Sequence, residues 1–256
     1  MIFPSRLDIV LSTFPGVETR ARAATLIRLG KVSVNGKVMA KPSVTIHEND
    51  RVELQGSLPF VGRGGEKLLK ALQHFALKVE GQTWIDAGAS TGGFTDCLIQ
   101  QGAAAVYAID VGSQQLHHSL KIHPAVFSFE NTDIRYFNHA RFLPSGADGI
   151  CADLSFISLQ GVLPFLMPML HECGQMILLV KPQFETLPGQ KNRRGIVVSE
   201  KVRSAALLRV LQTIADCGGK VEDLITTDVA NTRKKNTEYL VWIKKKTNVV
   251  VVDQGI

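Results

Sequence analysis

The chain has 256 residues, 45% hydrophobic and 20% charged, with a formal net charge of +6 and a pI near 9.2. These values suit a globular protein with one large core or two unequal ones, and they exclude a disordered or collagen-like chain. Arg6 and Asp8 interrupt the start where a secretory signal needs an apolar run, and no stretch reaches the ~18 apolar residues of a membrane span. The expectation is a cytoplasmic protein with an anionic partner and no membrane segment. Cysteines at 97, 151, 173 and 217 form no CxxC pair and have no metal-ligand spacing, so they read as reduced, mostly buried residues and no metal site is expected.

Residues 1–57 read as a small α+β domain. Leu7, Ile9, Val10 and Leu11 predict a first helix ending near Gly16. Thr19 suits the N-cap of a second, with Ala23, Ala24, Leu26 and Ile27 inside and Gly30 where it stops. Val32 to Val38, centred on Asn35-Gly36, carries the strongest short hairpin signal, and 45–46 with 51–54 are expected to complete one small sheet. Residues 58–62 read as a linker, 63–247 as a second domain and 248–256 as a tail. From residue 63, helical and strand-like segments alternate. Short apolar runs at 83–86, 105–110, 126–130, 149–153, 175–181, 221–227 and 238–244 suit strands of a sheet covered on both faces. Helices are expected at 66–77, 159–170 and 201–217. The fold class is α/β: an open, doubly wound, mostly parallel sheet of seven strands.

The chemistry gathers at strand ends. One strand ends at Asp86 and leads through Gly88, Ser90, Thr91, Gly92, Gly93, Phe94 and Thr95 into a helix. Glycine permits the tight turn and a close ligand approach, and open parallel sheets bind ligands beyond the carboxyl ends of strands. Asp110 closes the next strand, where a carboxylate can accept from a ribose diol. A dinucleotide fingerprint fails because Ser90 holds the middle glycine position of G-x-G-x-x-G. The spacing Asp86-x-Gly88-x-Ser90-x-Gly92 fits an adenosylmethionine loop better, with a bare strand-to-helix turn as the alternative. Later strands end in Asp153 and Lys181. A lysine there needs a cleft or a carboxylate, and Asp153 is placed to supply one. The pair can be a structural ion pair, or it can activate a hydroxyl for methyl transfer.

Four strings in register, DAGASTGGFTD (86–96), ADLSFISL (152–159), LVKPQFE (179–185) and NTEYLVW (236–242), resemble the TlyA family, often catalogued as haemolysin A, in the FtsJ-like group of RNA methyltransferases. The stretch ETRARAATLIRLGKVSVNG (18–36) resembles the RNA-binding domain named after a ribosomal small-subunit protein. The resemblance implies a Rossmann-like methyltransferase sheet, S-adenosyl-L-methionine as cofactor, and a ribose 2′-hydroxyl of ribosomal RNA or a ribosomal subunit as acceptor. It also implies a tetrad. Lys181 activates the hydroxyl, Asp153 and Lys67 tune and orient it, and Glu238 holds the lysine or the ribose. The Arg63-Gly64-Gly65 context favours Lys67 over Lys70, which otherwise reads as a solvated helix position.

For the cofactor, the resemblance assigns the loop from Gly88 to Thr95 to the methionine end, with Asp86, Val111 and Asp153 among the cofactor-binding residues. Asp110 goes to the ribose, and Asp133 and Ile134 to the adenine; Asp133 reads equally as a turn residue. Arg6, Arg20, Lys31 and Arg63 are the RNA-contact candidates, whereas Lys244, Lys245 and Lys246 read as a solubilising edge. Three places depart from the family: Ser113-Gln114 stands for an aromatic-Gly pair, and the loops 189–195 and 232–236 carry more charge and less glycine. A non-catalytic ribosome-assembly factor would show decay of the tetrad or the loop, and both are intact. A haemolysin would want a signal or an amphipathic membrane stretch, and neither is visible.

Overall fold

A computed structural model describes residues 3–14, 17, 19–55, 59–227 and 236–246, and the chain falls into two units, Met1–Gly62 and Arg63–Ile256. Gly16, residue 58 of the expected linker, residues 232–235 and the expected tail lie outside the described residues.

In the first unit, strand β1 (Ser5–Arg6) runs into helix α1 (Leu7–Leu11). The helix stops earlier than the sequence suggests, because the Ser12 and Thr13 hydroxyls each donate back to the carbonyls of Ile9 and Val10 at 2.7 Å. Helix α2 (Arg20–Arg28) begins where expected: Thr19 Oγ1 accepts from the Arg22 amide at 3.1 Å. Strands β2 (Val32–Val34) and β3 (Lys37–Val38) form the hairpin, with Asn35 and Gly36 at φ 52° and 79°, the primed-turn geometry. Strands β4 (Thr45–Ile46) and β5 (Val52–Leu54) do not join one sheet. β5 pairs with β2, while β4 pairs with β1, and Leu7 and Asp8 extend that ladder to the carbonyls of Val44 and Pro42. Leu7, Leu11, Leu26, Ile27, Val32 and Ile46 make the small core.

The second unit runs α3 (Gly64–His74), β6 (Thr83–Ala87), α4 (Gly93–Gln100), β7 (Ala105–Ile109), α5 (His118–Lys121), β8 (Val126–Phe129), α6 (His139–Phe142), β9 (Ala147–Ala152), α7 (Leu163–Leu166), β10 (Leu170–Val180), α8 (Pro182–Glu185), α9 (Glu200–Asp216), β11 (Gly219–Thr226) and β12 (Tyr239–Lys245). The helix expected over 159–170 is broken into α7 and two 3-10 turns. Pro164 and Pro168 remove amide donors and crowd the preceding turn. The seven strands lie in the order β11-β12-β10-β9-β6-β7-β8; those from β10 to β8 are parallel, and β12 is antiparallel to both its neighbours. Residues 244–245 therefore sit in an interior strand, not at an edge: Lys245 donates to the Leu170 carbonyl at 2.8 Å and Lys244 lies 5.2 Å above the Trp242 ring.

This order positions the site. From β6 the chain winds outward through β7 to β8, then returns to β9 on the other flank of β6. Helices on the two sides diverge there, so a crevice opens beyond the carboxyl ends of β6 and β9. Among the described residues no helix is long and apolar enough to cross a membrane, and no group of His, Cys, Asp or Glu could hold a metal ion.

The contact that seats β6 against β9 is Trp84, fully buried and paired in register with Gly149. A Cβ at position 149 would lie 2.5 Å from the Trp84 ring. Gly149→Ala is expected to destabilise the second unit by about 1–3 kcal/mol through overpacking, measured as a lowered denaturant midpoint at unchanged slope.

Candidate active site

The Asp86 carboxylate is fully buried. Its Oδ2 accepts from the Thr95 amide at 2.9 Å and the Thr95 hydroxyl at 2.6 Å, while Oδ1 has no hydrogen-bond partner. The side chain thus clamps the first turn of α4 to β6 and offers that helix end a carboxylate. Burial is the main cause that pushes its pKa up to about 7. The turn between them is tight. Gly88 lies at φ 84° and its amide donates to the Ile109 carbonyl at 2.8 Å; a Cβ there would press on the Asp153 carbonyl and Leu154 at 3.0 Å. Gly92, at φ 94°, leaves no room for a Cβ beside Leu120.

A cleft of about 510 Å³ opens at this switch point. Its wall includes Gly88, Ser90, Asp110, Val111, Asp133, Ile134 and Asp153 from the sequence-derived set; Asp86, Thr91, Gly92, Gly93, Phe94 and Thr95 do not line it. The latter build the turn that shapes the wall. Asp110 accepts from the Ser90 amide at 2.8 Å and the Gly112 amide at 2.7 Å, which leaves lone pairs on both oxygens for a ligand diol. Ser90 adopts φ 48°. Asp133 has both roles weighed for it. It lines the cleft, and it also accepts from the Arg135 amide at 2.9 Å and from its guanidinium at 2.6 Å, which holds its carboxyl below the usual range.

The segment around Ser113-Gln114 is held by Glu130, which accepts from the amides of Gln114 and Gln115 at 2.9 and 3.1 Å and from Lys121 at 2.8 Å. Lys121, with the amides of Gln114 and Leu116, keeps the Glu130 carboxyl at about 2. Gln115, on this loop, lines the cleft and was not foreseen. An amide side chain in a polar loop has no sequence signal to distinguish it from solvated neighbours.

Asp153 and Lys181 meet as predicted. Lys181, 9% exposed, brings Nζ to 2.5 Å from Asp153 Oδ1 and donates to Ser155 Oγ at 2.8 Å. The contact with Oδ1 lacks hydrogen-bond angles, so it is a charge pairing and Ser155 is the directed acceptor. Across the sheet, Val180 is in register with Tyr239, so positions 181 and 238 face one another one step further on. Glu238 accepts from Lys67 of α3 at 2.6 Å. All four residues therefore gather at one end of the sheet as two ion pairs. Lys70 is not simply solvated: it donates to the carbonyls of Thr226 and Thr227 at 3.0 and 3.1 Å, tying α3 to the end of β11.

Two further residues of the matched strings matter to this geometry. Phe156 lines the cleft at φ 65° with 92% of its surface exposed, an uncommon conformation for a bulky side chain. Its ring centre is 5.3 Å from Phe184, whose ring lies 5.8 Å from Lys181 Nζ. Buried Glu185 accepts from Ser158 Oγ at 2.6 Å and the Leu159 amide at 2.8 Å, linking the loop after β9 to α8. In the first unit, Arg6 and Arg20 converge on buried Asp8, at 2.9 and 3.2 Å, and Arg6 holds that carboxyl low. Lys31 is exposed. Arg63, exposed at the start of α3, belongs to the second unit.

Residues 60–245 match the family model of the FtsJ-like methyltransferases and residues 5–52 that of the S4 domain. The chain is 35% identical to hemolysin A of Brachyspira hyodysenteriae, over 92% of this chain and 98% of that one. It is 34% identical to the 16S/23S rRNA (cytidine-2'-O)-methyltransferase TlyA of Mycobacterium tuberculosis, over 98% and 94%. A solved structure catalogued as a hemolysin from Streptococcus thermophilus superposes with a TM-score of 0.73 at 37% identity, covering 94% of this chain and 88% of that one.

The buried Asp86 gives a pH test. Its folded pKa of about 7 exceeds the ordinary 3.8, so its stability contribution is full below about 4 and is lost as the pH rises through about 7. Chemical denaturation from pH 4 to 8 is expected to show that fall in the wild type. Asp86→Asn, which cannot ionise, is expected to lack it.

Proposed function

Because the chain belongs to the FtsJ-like methyltransferase family, we propose that it transfers a methyl group from S-adenosyl-L-methionine to a ribose 2′-hydroxyl of ribosomal RNA. The observation that carries this reading is the Asp153–Lys181 pair beside the switch-point cleft, with Lys67–Glu238 across the sheet end. The cleft suits the cofactor in size and chemistry. Its volume lies in the range of small-ligand sites, Asp110 offers acceptors for a ribose diol, and Ile109, Ile134 and Val162 offer apolar wall to a purine.

When bound, the sulfonium supplies an electrophilic methyl group. The chain's own residues then have to place an alcohol oxygen in line with it. Lys181 is the cation held against the cleft wall by Asp153 and Ser155, and it holds the attacking oxygen and stabilises the charge that develops there, the hydroxyl proton passing to solvent as the oxygen–methyl bond forms. Asp153 keeps the lysine nitrogen from swinging away. Lys67 and Glu238 pair at the same end of the sheet; with Lys67 engaged, Glu238 has one carboxylate oxygen left to accept from the ribose or from Lys181. The exposed ring of Phe156 offers a face on which an unstacked base can rest, which would bring its ribose to Lys181. The S4 domain supports RNA as the partner, and the mycobacterial relative's name supports ribosomal RNA as its source. The arginines on Asp8 fit phosphate contacts rather than base reading.

Lys181→Ala is expected to lower single-turnover methyl transfer to unmodified ribosomal RNA at least about 100-fold, with S-adenosylmethionine affinity by calorimetry kept within about twofold. Equal loss of both would place Lys181 in cofactor binding instead. Phe156→Ala is expected to weaken RNA binding by about tenfold or more, the worth of one stacked base, in a filter-binding titration.

A further inference from the structure

We propose that the turn 189–195 is a phosphate-binding element for the substrate RNA, and that Asn236 is the positioning residue that sets it beside the reaction centre. The inference rests on the RNA reading above. The sequence of the turn, GQKNRRG, places Lys191, Arg193 and Arg194 together, and no carboxylate lies between Glu185 and Glu200. All three cations are exposed, and among the described residues neither arginine side chain has a hydrogen bond or ion pair.

A run of surface cations is usually a solvated loop. This one is built. Asn192 Oδ1 accepts from the amides of Arg194 and Ile196, both at 2.9 Å, and the Asn192 amide donates to the Ile196 carbonyl at 3.0 Å. Gly189 and Gly195 turn the chain at φ 79° and 74°. The structure then moors the turn on both sides of the reaction centre. Lys191 donates to the Gln183 carbonyl at 3.0 Å, on the helix that follows Lys181. Asn236, two positions before Glu238, accepts from the Val197 amide at 2.9 Å and donates to the Gly195 carbonyl at 3.1 Å. Buried Arg203 adds bonds to the carbonyls of Val197 and Val198 at 3.0 and 2.7 Å.

The result is a pair of guanidinium forks, without a side-chain partner among the described residues, on a backbone held by these bonds. Guanidinium matches phosphate oxygens bidentately, and a fixed backbone reduces the entropy lost on binding. The partner that fits is the sugar-phosphate backbone of the RNA whose ribose sits at Lys181. Mooring through Gln183 and Asn236 fixes the spacing between phosphate and reacting hydroxyl.

The test compares wild type, Arg193→Gln/Arg194→Gln, Asn236→Ala and the triple variant, as full chains. Each is titrated with unmodified ribosomal RNA across a salt series, with phosphatidylserine vesicles and, as a control, with S-adenosylmethionine. The arginine double variant is expected to bind RNA about tenfold or more weakly, with the salt slope reduced by about 1.5 for two lost phosphate contacts; cofactor affinity and Tm are expected to hold. Asn236→Ala is expected to weaken RNA binding too, and adding it to the arginine double variant is expected to cost little more, because both act through one element. Unchanged RNA affinity and slope in the arginine variant would overturn the phosphate site. So would loss of binding to phosphatidylserine vesicles with RNA binding intact. Additive losses with a lowered Tm would overturn the positioning role of Asn236. Failure of the wild type to bind or methylate RNA would instead overturn the functional reading beneath it.

Discussion

An ammonium at the carboxyl end of a buried strand has to be matched by charge and hydrogen bonds, or the strand end does not form. Lys181 is in that position after β10, and its surroundings follow from the requirement. Asp153 ends the neighbouring strand and supplies the opposite charge; Ser155 supplies the directed acceptor. The antiparallel β12 brings Glu238 opposite, and Glu238 in turn draws Lys67 from α3. Charge is balanced over the four groups, each side chain keeps some exposure, and Asp153 lines the cleft. That combination keeps a lysine both fixed and reachable, which a chemical role demands and a purely structural ion pair does not.

The cleft depends on a different device. Asp86 Oδ2 takes both its hydrogen bonds from Thr95, so the Gly-rich turn is held from behind while Asp110 lines the cleft in front. The same division of labour recurs at Glu130 beneath the 112–116 segment and at Glu185 beneath the loop after β9. Three carboxylates thus fix loops without touching the space a ligand would take.

Much of this was legible in the residues. The seven runs became the seven strands: the interior ones are mostly apolar because both faces bury, while the edge strands β8 and β11 stay partly exposed. Asp110, Asp153 and Lys181 stood out as charges at strand ends, where burial makes them expensive. Lys67 and Glu238 carried no such signal; they came from the family resemblance, and only β12 pairing inside the sheet puts them within reach of Lys181. The proline-broken segment at 159–170 and the separate β1–β4 ladder were missed, since apolar periodicity does not report lost amide donors or long-range partners. Asp86 shows the opposite limit. Its place in the motif pointed to a ligand contact, whereas its side chain serves the helix behind the turn.

What the geometry claims most specifically is the atom that receives the methyl group. In the reading proposed above, Lys181 and its partners activate an alcohol beside the cleft. The direct measurement is mass spectrometry of nucleosides from ribosomal RNA modified by the wild-type enzyme with methyl-labelled cofactor, paired with alkaline hydrolysis of the labelled RNA. The account predicts label on the ribose fragment and a phosphodiester resistant to alkali 3′ of the modified nucleotide. Label on a base fragment, with the backbone fully cleaved, would contradict it.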